Sequence, residues 1–196
     1  GRNYSEHVKE MGGDPKSEPP VFFSKPVSAC VTFNKDVTYP QATNELHHEV
    51  ELVVALKSGG KNIDIETAMD CVYGYAVGID FTRRDLQDIA KSQGRPWDLA
   101  KGFDQSAPIS AILPVNYVAQ LGDRKISLSI NEEVRQQASL SEMIWTVPEI
   151  ISELSKFFEL KPGDIIYTGT PSGVSAVFKG DRLCASIDGI GVLDFR

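Results

Sequence analysis

Apolar residues concentrate in eight short stretches, residues 21–23, 29–33, 46–56, 72–79, 126–130, 165–167, 182–187 and 191–195, each bounded by Gly, Pro or Asn. They are rich in β-branched and aromatic side chains and most are too short for a stable helix, so each predicts a strand. Helical spacing is confined to four places. Asn3 with Glu6 three positions on reads as a capping box, and Gly12-Gly13 stops the run, which predicts a helix over about residues 4–11. Thr82 with Asp85 opens a second helix over residues 82–92, residues 65–69 carry a weak third, and residues 147–158 a fourth with Ile150, Ile151, Leu154, Phe157 and Phe158 along one side. Pro15, Pro19 and Pro20 make residues 14–20 a loop. Strands and helices do not alternate strictly, so the expected class is α+β and β-rich rather than a doubly wound parallel sheet.

At 196 residues, with no internal repeat, low-complexity tract or long linker, the chain predicts one domain spanning residues 1–196. The net charge of −7 removes any electrostatic reason to seek a phosphate backbone, so nucleic acid is not an expected partner. No run approaches the roughly 18 apolar residues of a membrane span, which removes the membrane as well. Cys30, Cys71 and Cys184 are odd in number, far apart and without a C-x-x-C pair, so a cytoplasmic or otherwise reducing compartment is expected. The first residues lead into a charged segment with no apolar core of a signal peptide, and the sequence starts at Gly1 rather than Met.

The most informative spacing is Glu49-Val50-Glu51 within an apolar run. Residues two apart in a strand share a face, so both carboxylates project to one side about 7 Å apart. Alone, that pattern fits a solvent-facing strand edge as well as a site. Asp80 shifts the balance, because it ends a second apolar strand, where a buried carboxylate needs a partner. Three carboxylates without a nearby cysteine suit a hard ion, Mg²⁺, Mn²⁺ or Ca²⁺. His47 has the same strand parity, which leaves a mixed site for Zn²⁺ or Fe²⁺ open.

His7 and Glu10, three apart on the first predicted helix, share one face, a spacing that fits a solvated surface pair as well as an imidazole set beside a carboxylate, the arrangement of a water-activating base. Lys101 lies among small and aromatic neighbours, and Arg84 and Gln87 fall in the first turns of the helix after Asp80, a corner suited to a carboxylate ligand. The Gly-rich turn Thr168-Gly169-Thr170-Pro171-Ser172-Gly173 lacks the endings of nucleotide-binding loops, and no G-x-S-x-G elbow occurs.

Taken in order, Gly1-Arg2-Asn3-Tyr4-x-x-His7-x-x-Glu10, His47-His48-Glu49-Val50-Glu51-Leu52, the stretch from Gly74 to Asp85, Trp97-x-x-Ala100-Lys101 and the stretch from Gly163 to Pro171 resemble the fumarylacetoacetate hydrolase family over essentially the whole chain. The similarity is to its short members, acylpyruvases and the related oxaloacetate decarboxylases and tautomerases. It implies a mixed β-sandwich roll with a few short helices, a homodimer, a strand preceding Gly1, and Mg²⁺ or Mn²⁺ held by Glu49, Glu51 and Asp80. It also implies His7 and Glu10 as the catalytic dyad, Lys101 as a third catalytic group, Arg84, Gln87 and Thr170 as substrate-facing groups, and Lys25 as a motif residue. The implied activity is metal-dependent C–C bond hydrolysis of a 2,4-dioxo acid, with decarboxylation or keto–enol exchange of oxaloacetate as the alternative on the same site. A catalytically silent binding protein is the remaining class. The segment from residue 4 to residue 20, with its two-turn helix and Pro-rich loop, is expected to be a lid carrying His7 and Glu10.

Overall fold

The computed structural model describes residues 3–6 and 19–196. Of the expected helix over residues 4–11 only residues 4–6 are described, with Tyr4 bridged to Met143 and residues 5–6 helical; His7, Glu10 and most of the expected lid lie outside the described residues. Asn3, the expected cap of that helix, is buried, and its side chain is engaged across the chain. Its amide nitrogen donates to the carbonyls of Trp145 and Thr168, and its oxygen accepts the Trp145 N–H.

Two four-stranded antiparallel sheets form the frame. In the first, β3 (Val50–Leu56) and β4 (Val72–Ile79) pair at the centre, flanked by β10 (Ile165–Tyr167) and β7 (Leu113–Pro114). In the second the order is β12 (Gly191–Phe195), β11 (Leu183–Ile187), β8 (Lys125–Ile130) and β9 (Glu133–Ser139). Alternate residues of β8 and β11 are buried, as the two-residue period of a half-covered sheet requires, and Ile126, Leu128, Ala185 and Leu193 meet Leu52, Val54, Val77 and Ile79 in one core. Two short ladders complete the roll: β1 (Cys30–Val31) runs parallel to β6 (Ala107–Pro108), and β2 (Leu46–His47) antiparallel to β5 (Thr82–Arg83). The helices are short: α1 (Arg84–Ser92), α2 (Asp98–Lys101) and α3 (Val147–Phe157).

Several elements differ from the sequence expectation. Residues 21–23 form no strand: Phe22 packs on the core and Phe23 lies 6.0 Å from the Trp97 ring, so their apolar character serves packing without a ladder. The strand expected over residues 29–33 shrinks to Cys30–Val31, because Phe33 and Asn34 take positive φ and turn the chain. The run 46–56 divides at His48 and Glu49. Thr82 does not cap a helix but pairs in β5, while Asp85 accepts from Thr43, Asn44 and Leu86. Residues 65–67 form a turn, followed by a 3-10 turn over Ala68–Cys71. The Thr146–Glu149 capping box starts α3, whose Ile150 and Ile151 are buried; Phe157 and Phe158, expected on that stripe, are exposed at its end.

Strand β9 has no counterpart in the sequence expectation. Its residues are polar apart from Val134 and Ala138, and only Gln136 is buried. It is joined to β8 by Asn131-Glu132, both at positive φ, the two-residue turn whose twist suits a hairpin. Asn-Glu lacks the glycine that marks such turns in a sequence.

Candidate functional site

The centre of the site follows from the pairing of β3 and β4. Val50 sits opposite Ile79 and Glu51 opposite Gly78, and one residue beyond the ladder Asp80 N–H donates to the Glu49 carbonyl at 2.8 Å. The two-residue period then sets Glu49, Glu51 and Asp80 on one face. An oxygen from each lies within 4.8 Å of the others, and the three residues are 6%, 1% and 1% exposed. Burying carboxylates this close together demands compensating charge.

Three cations supply much of it. Lys101, the last residue of α2, directs its ammonium at Glu49 Oε2 (2.9 Å), Asp80 Oδ2 (2.6 Å) and the Thr82 hydroxyl (2.5 Å). Arg84 at the start of α1 donates to Glu49 Oε1 at 2.5 Å. Lys25 pairs with Asp80 Oδ1 at 2.8 Å, and donates to the Phe81 carbonyl, the Ser106 hydroxyl and the Lys101 carbonyl. It thereby ties the Lys101 backbone to the end of β4.

The carboxylates consequently differ. Burial works against ionisation of Glu49, yet Lys101 and Arg84 outweigh it and hold that carboxyl well below its usual range. Burial likewise opposes the charge on Lys101, and Asp80 and Glu49 overcome it and push the ammonium's pKa up. Burial lowers that of Lys25 despite the nearby Asp80. Glu51 has no cationic partner among the described residues. Its Oε2 accepts the Gly169 N–H at 2.6 Å, and burial together with Asp80 and Glu49 pushes its carboxyl up to about 8. Three buried carboxylates gathered this closely are a set of hard oxygen donors that fits a divalent cation.

His47 stands apart from the carboxylates. Its Nδ1 accepts from Arg84 Nε at 3.3 Å and its Nε2 faces Glu45 at 3.1 Å, so among the described residues the cluster is all oxygen. Gln87 accepts from Arg84 at 2.5 Å and so orients the guanidinium. The Thr170 hydroxyl is turned inward, donating to the Val50 carbonyl at 2.8 Å and accepting from Gln136 Nε2 at 2.8 Å. Thus Glu49, Glu51, Asp80, Lys101, Arg84 and Gln87 lie together, and Lys25 joins them. Thr82, Gly169, His48 and Gln136 were not anticipated, and only the strand end after Asp80 gave any signal for Thr82.

The sequence matches the fumarylacetoacetate (FAA) hydrolase C-terminal family over residues 1–196. It is 44% identical over 196 residues to oxaloacetate tautomerase FAHD1, mitochondrial, of Rattus norvegicus, covering 100% of this chain and 88% of that protein. Among solved structures it is similar to fumarylpyruvate hydrolase from Pseudomonas aeruginosa in complex with Mn²⁺ and pyruvate, at 47% identity and a TM-score of 0.95, covering 100% of this chain and 85% of that one. It is also similar to 5-carboxymethyl-2-hydroxymuconate delta-isomerase from Mycobacterium smegmatis, at 31% identity and a TM-score of 0.85, covering 100% and 75%.

Proposed function

The chain belongs to the fumarylacetoacetate hydrolase family, and from that premise we propose that it is a divalent-metal-dependent hydrolase cleaving a C–C bond of a 2,4-dioxo acid, an acylpyruvate. The observation that carries this is the buried Glu49, Glu51 and Asp80 cluster, in which Glu51 has no cationic partner among the described residues. These residues would hold Mg²⁺ or Mn²⁺, with Ca²⁺ a further hard-ion candidate. The Pseudomonas aeruginosa structure contains Mn²⁺ together with pyruvate, the 2-oxo acid that cleavage of an acylpyruvate releases. When bound, such an ion supplies Lewis-acid polarisation of a carbonyl oxygen.

The protein's own groups have separate tasks in this proposal. Lys101 and Arg84 offset the carboxylate field so that an anionic substrate can enter, and Lys25 and Gln87 hold those two cations in place. His7, assisted by Glu10, takes a proton from the water that adds to the acyl carbonyl; the C–C bond then breaks to give a carboxylic acid, its electron pair leaves with the pyruvate unit as an enolate, and that enolate takes the proton back from His7 to become pyruvate. Thr170 contributes to the substrate wall through its backbone, since its hydroxyl is committed elsewhere.

A second use of the site, keto–enol exchange or decarboxylation of oxaloacetate, is favoured by the 44% identity to the rat oxaloacetate tautomerase. Side-by-side assays decide between the two. Mg²⁺- or Mn²⁺-dependent loss of acetylpyruvate, abolished in His7→Ala, is the expected result; turnover of oxaloacetate alone would replace hydrolysis by tautomerisation, and turnover of neither would leave a binding protein.

The chain is further proposed to act as one domain and as a homodimer in the cytoplasm or another reducing compartment. Phe33 and Phe178, 88% and 71% exposed, are surfaces that a second copy would cover, and the three cysteines are unpaired. No helix of the described residues is long and apolar enough to cross a membrane. A light-scattering mass near 21.5 kDa would remove the dimer.

A further inference from the structure

Gln136 is fully buried in β9, a strand whose other side chains face mostly outward. All four of its hydrogen-bonding positions are filled. Its Oε1 accepts from the Val50 N–H at 3.0 Å and from His48 Nδ1 at 2.8 Å, and its Nε2 donates to the Pro171 carbonyl at 2.7 Å and the Thr170 hydroxyl at 2.8 Å. Because Val50 N–H can only donate and the Pro171 carbonyl can only accept, those two partners decide the amide orientation. His48 therefore carries its proton on Nδ1, and its Nε2 accepts from the Ser175 hydroxyl at 2.9 Å. The Thr170 hydroxyl in turn donates its hydrogen bond to the Val50 carbonyl.

This closed network joins three segments: the start of β3 beside Glu49 and Glu51, β9 of the other sheet, and the turn that follows β10. Gly173, at φ +94°, lets that turn lie flat on β9, since a Cβ there would stand 2.1 Å from the Arg135 carbonyl. From the same turn Gly169 directs its N–H at Glu51 Oε2. A fully satisfied buried amide holds its neighbours in one arrangement, and losing either half leaves desolvated groups without partners.

We propose that Gln136 is a positioning residue of the metal site, strapping the Gly169–Thr170 turn to β3 so that the Gly169 N–H stays on Glu51. The inference rests on Glu51 being a metal ligand, as proposed above. Gln136→Glu keeps the size and both accepted bonds but sets an oxygen against the Pro171 carbonyl. Metal-free Gln136→Glu should exchange the amides of residues 169 and 170 at least about tenfold faster than wild type and bind Mn²⁺ about tenfold more weakly in a direct titration. Gln137→Glu, the same charge change at an exposed neighbour, should match wild type in both.

Thr170→Val tests the other end of the strap should Gln136→Glu not fold. It should weaken Mn²⁺ several-fold, and Thr170→Ser, which restores the hydroxyl, should recover wild-type affinity. A folded Gln136→Glu or Thr170→Val that binds Mn²⁺ within twofold of wild type would overturn the strap. Failure of the wild type itself to bind Mn²⁺ would instead sink the metal reading of Glu51.

Discussion

Strand β3 has two faces that are buried alike and chemically opposite. On one, Val50, Leu52, Val54 and Leu56 enter the core shared by both sheets. On the other, the line from Glu49 through Glu51 to Val53 passes from the carboxylate cluster to a small apolar group with Ala76, Ile109 and the Tyr167 ring. Burial stabilises the first face by about 25 cal/mol per Å² of apolar surface removed from water, whereas on the second it opposes the charge on every carboxylate and must be offset by Lys101, Arg84 and Lys25. One strand thus carries stability and function back to back, and the apolar face sustains the strain of like charges on the other.

The sharpest way to separate the faces is Glu51→Gln. It should lower metal-dependent kcat/KM at least about a thousandfold, ~4 kcal/mol in the barrier, while the metal-free protein melts no lower than wild type. The amide is neutral, relieves a carboxyl pushed up to about 8, and can still accept the Gly169 N–H. A fall of several degrees in calorimetry would make Glu51 a structural residue. Leu52→Ala, one position away, should invert the pattern, costing about 2–5 kcal/mol in denaturant unfolding with turnover per folded molecule preserved.

Adding Mg²⁺ at about a hundred times its dissociation constant should stabilise wild type by about 2.7 kcal/mol, because only the native state binds. Leu52→Ala should show the same increment and Glu51→Gln none; an unchanged melting temperature in wild type at millimolar Mg²⁺ and Mn²⁺ would contradict the site. The smallest effect should come from Gly78→Ala on the charged face, at about 1–3 kcal/mol. Its Cβ would stand 2.4 Å from the Tyr167 ring, so chemical denaturation equal to wild type would show that the ring yields freely.

Legibility followed the distance over which each feature is decided. The apolar, β-branched runs along 46–56 and 72–79 predicted the two central strands, and the two-residue strand period the shared side of Glu49 and Glu51, because composition and parity are properties of consecutive residues. The helix start at Thr82 was misplaced for the opposite reason: a capping pattern is local, but pairing of Thr82 with His47 and the use of Asp85 by Thr43 come from a segment about forty residues upstream and override it. β9 escaped because an exposed edge strand needs no apolar alternation.

By itself the sequence determined the chemistry available and the family, through the order of motifs along the whole chain, and it determined which carboxylates share a face. Only the tertiary structure decided which cation meets which oxygen, that the Thr170 hydroxyl bonds the Val50 carbonyl and Gln136, and that Gln136 crosses from the second sheet to His48, 88 positions away in the chain. The physical reason is that strand parity is set by the backbone repeat of adjacent residues. A buried polar partner is instead chosen by how two sheets pack, and no local pattern records that choice.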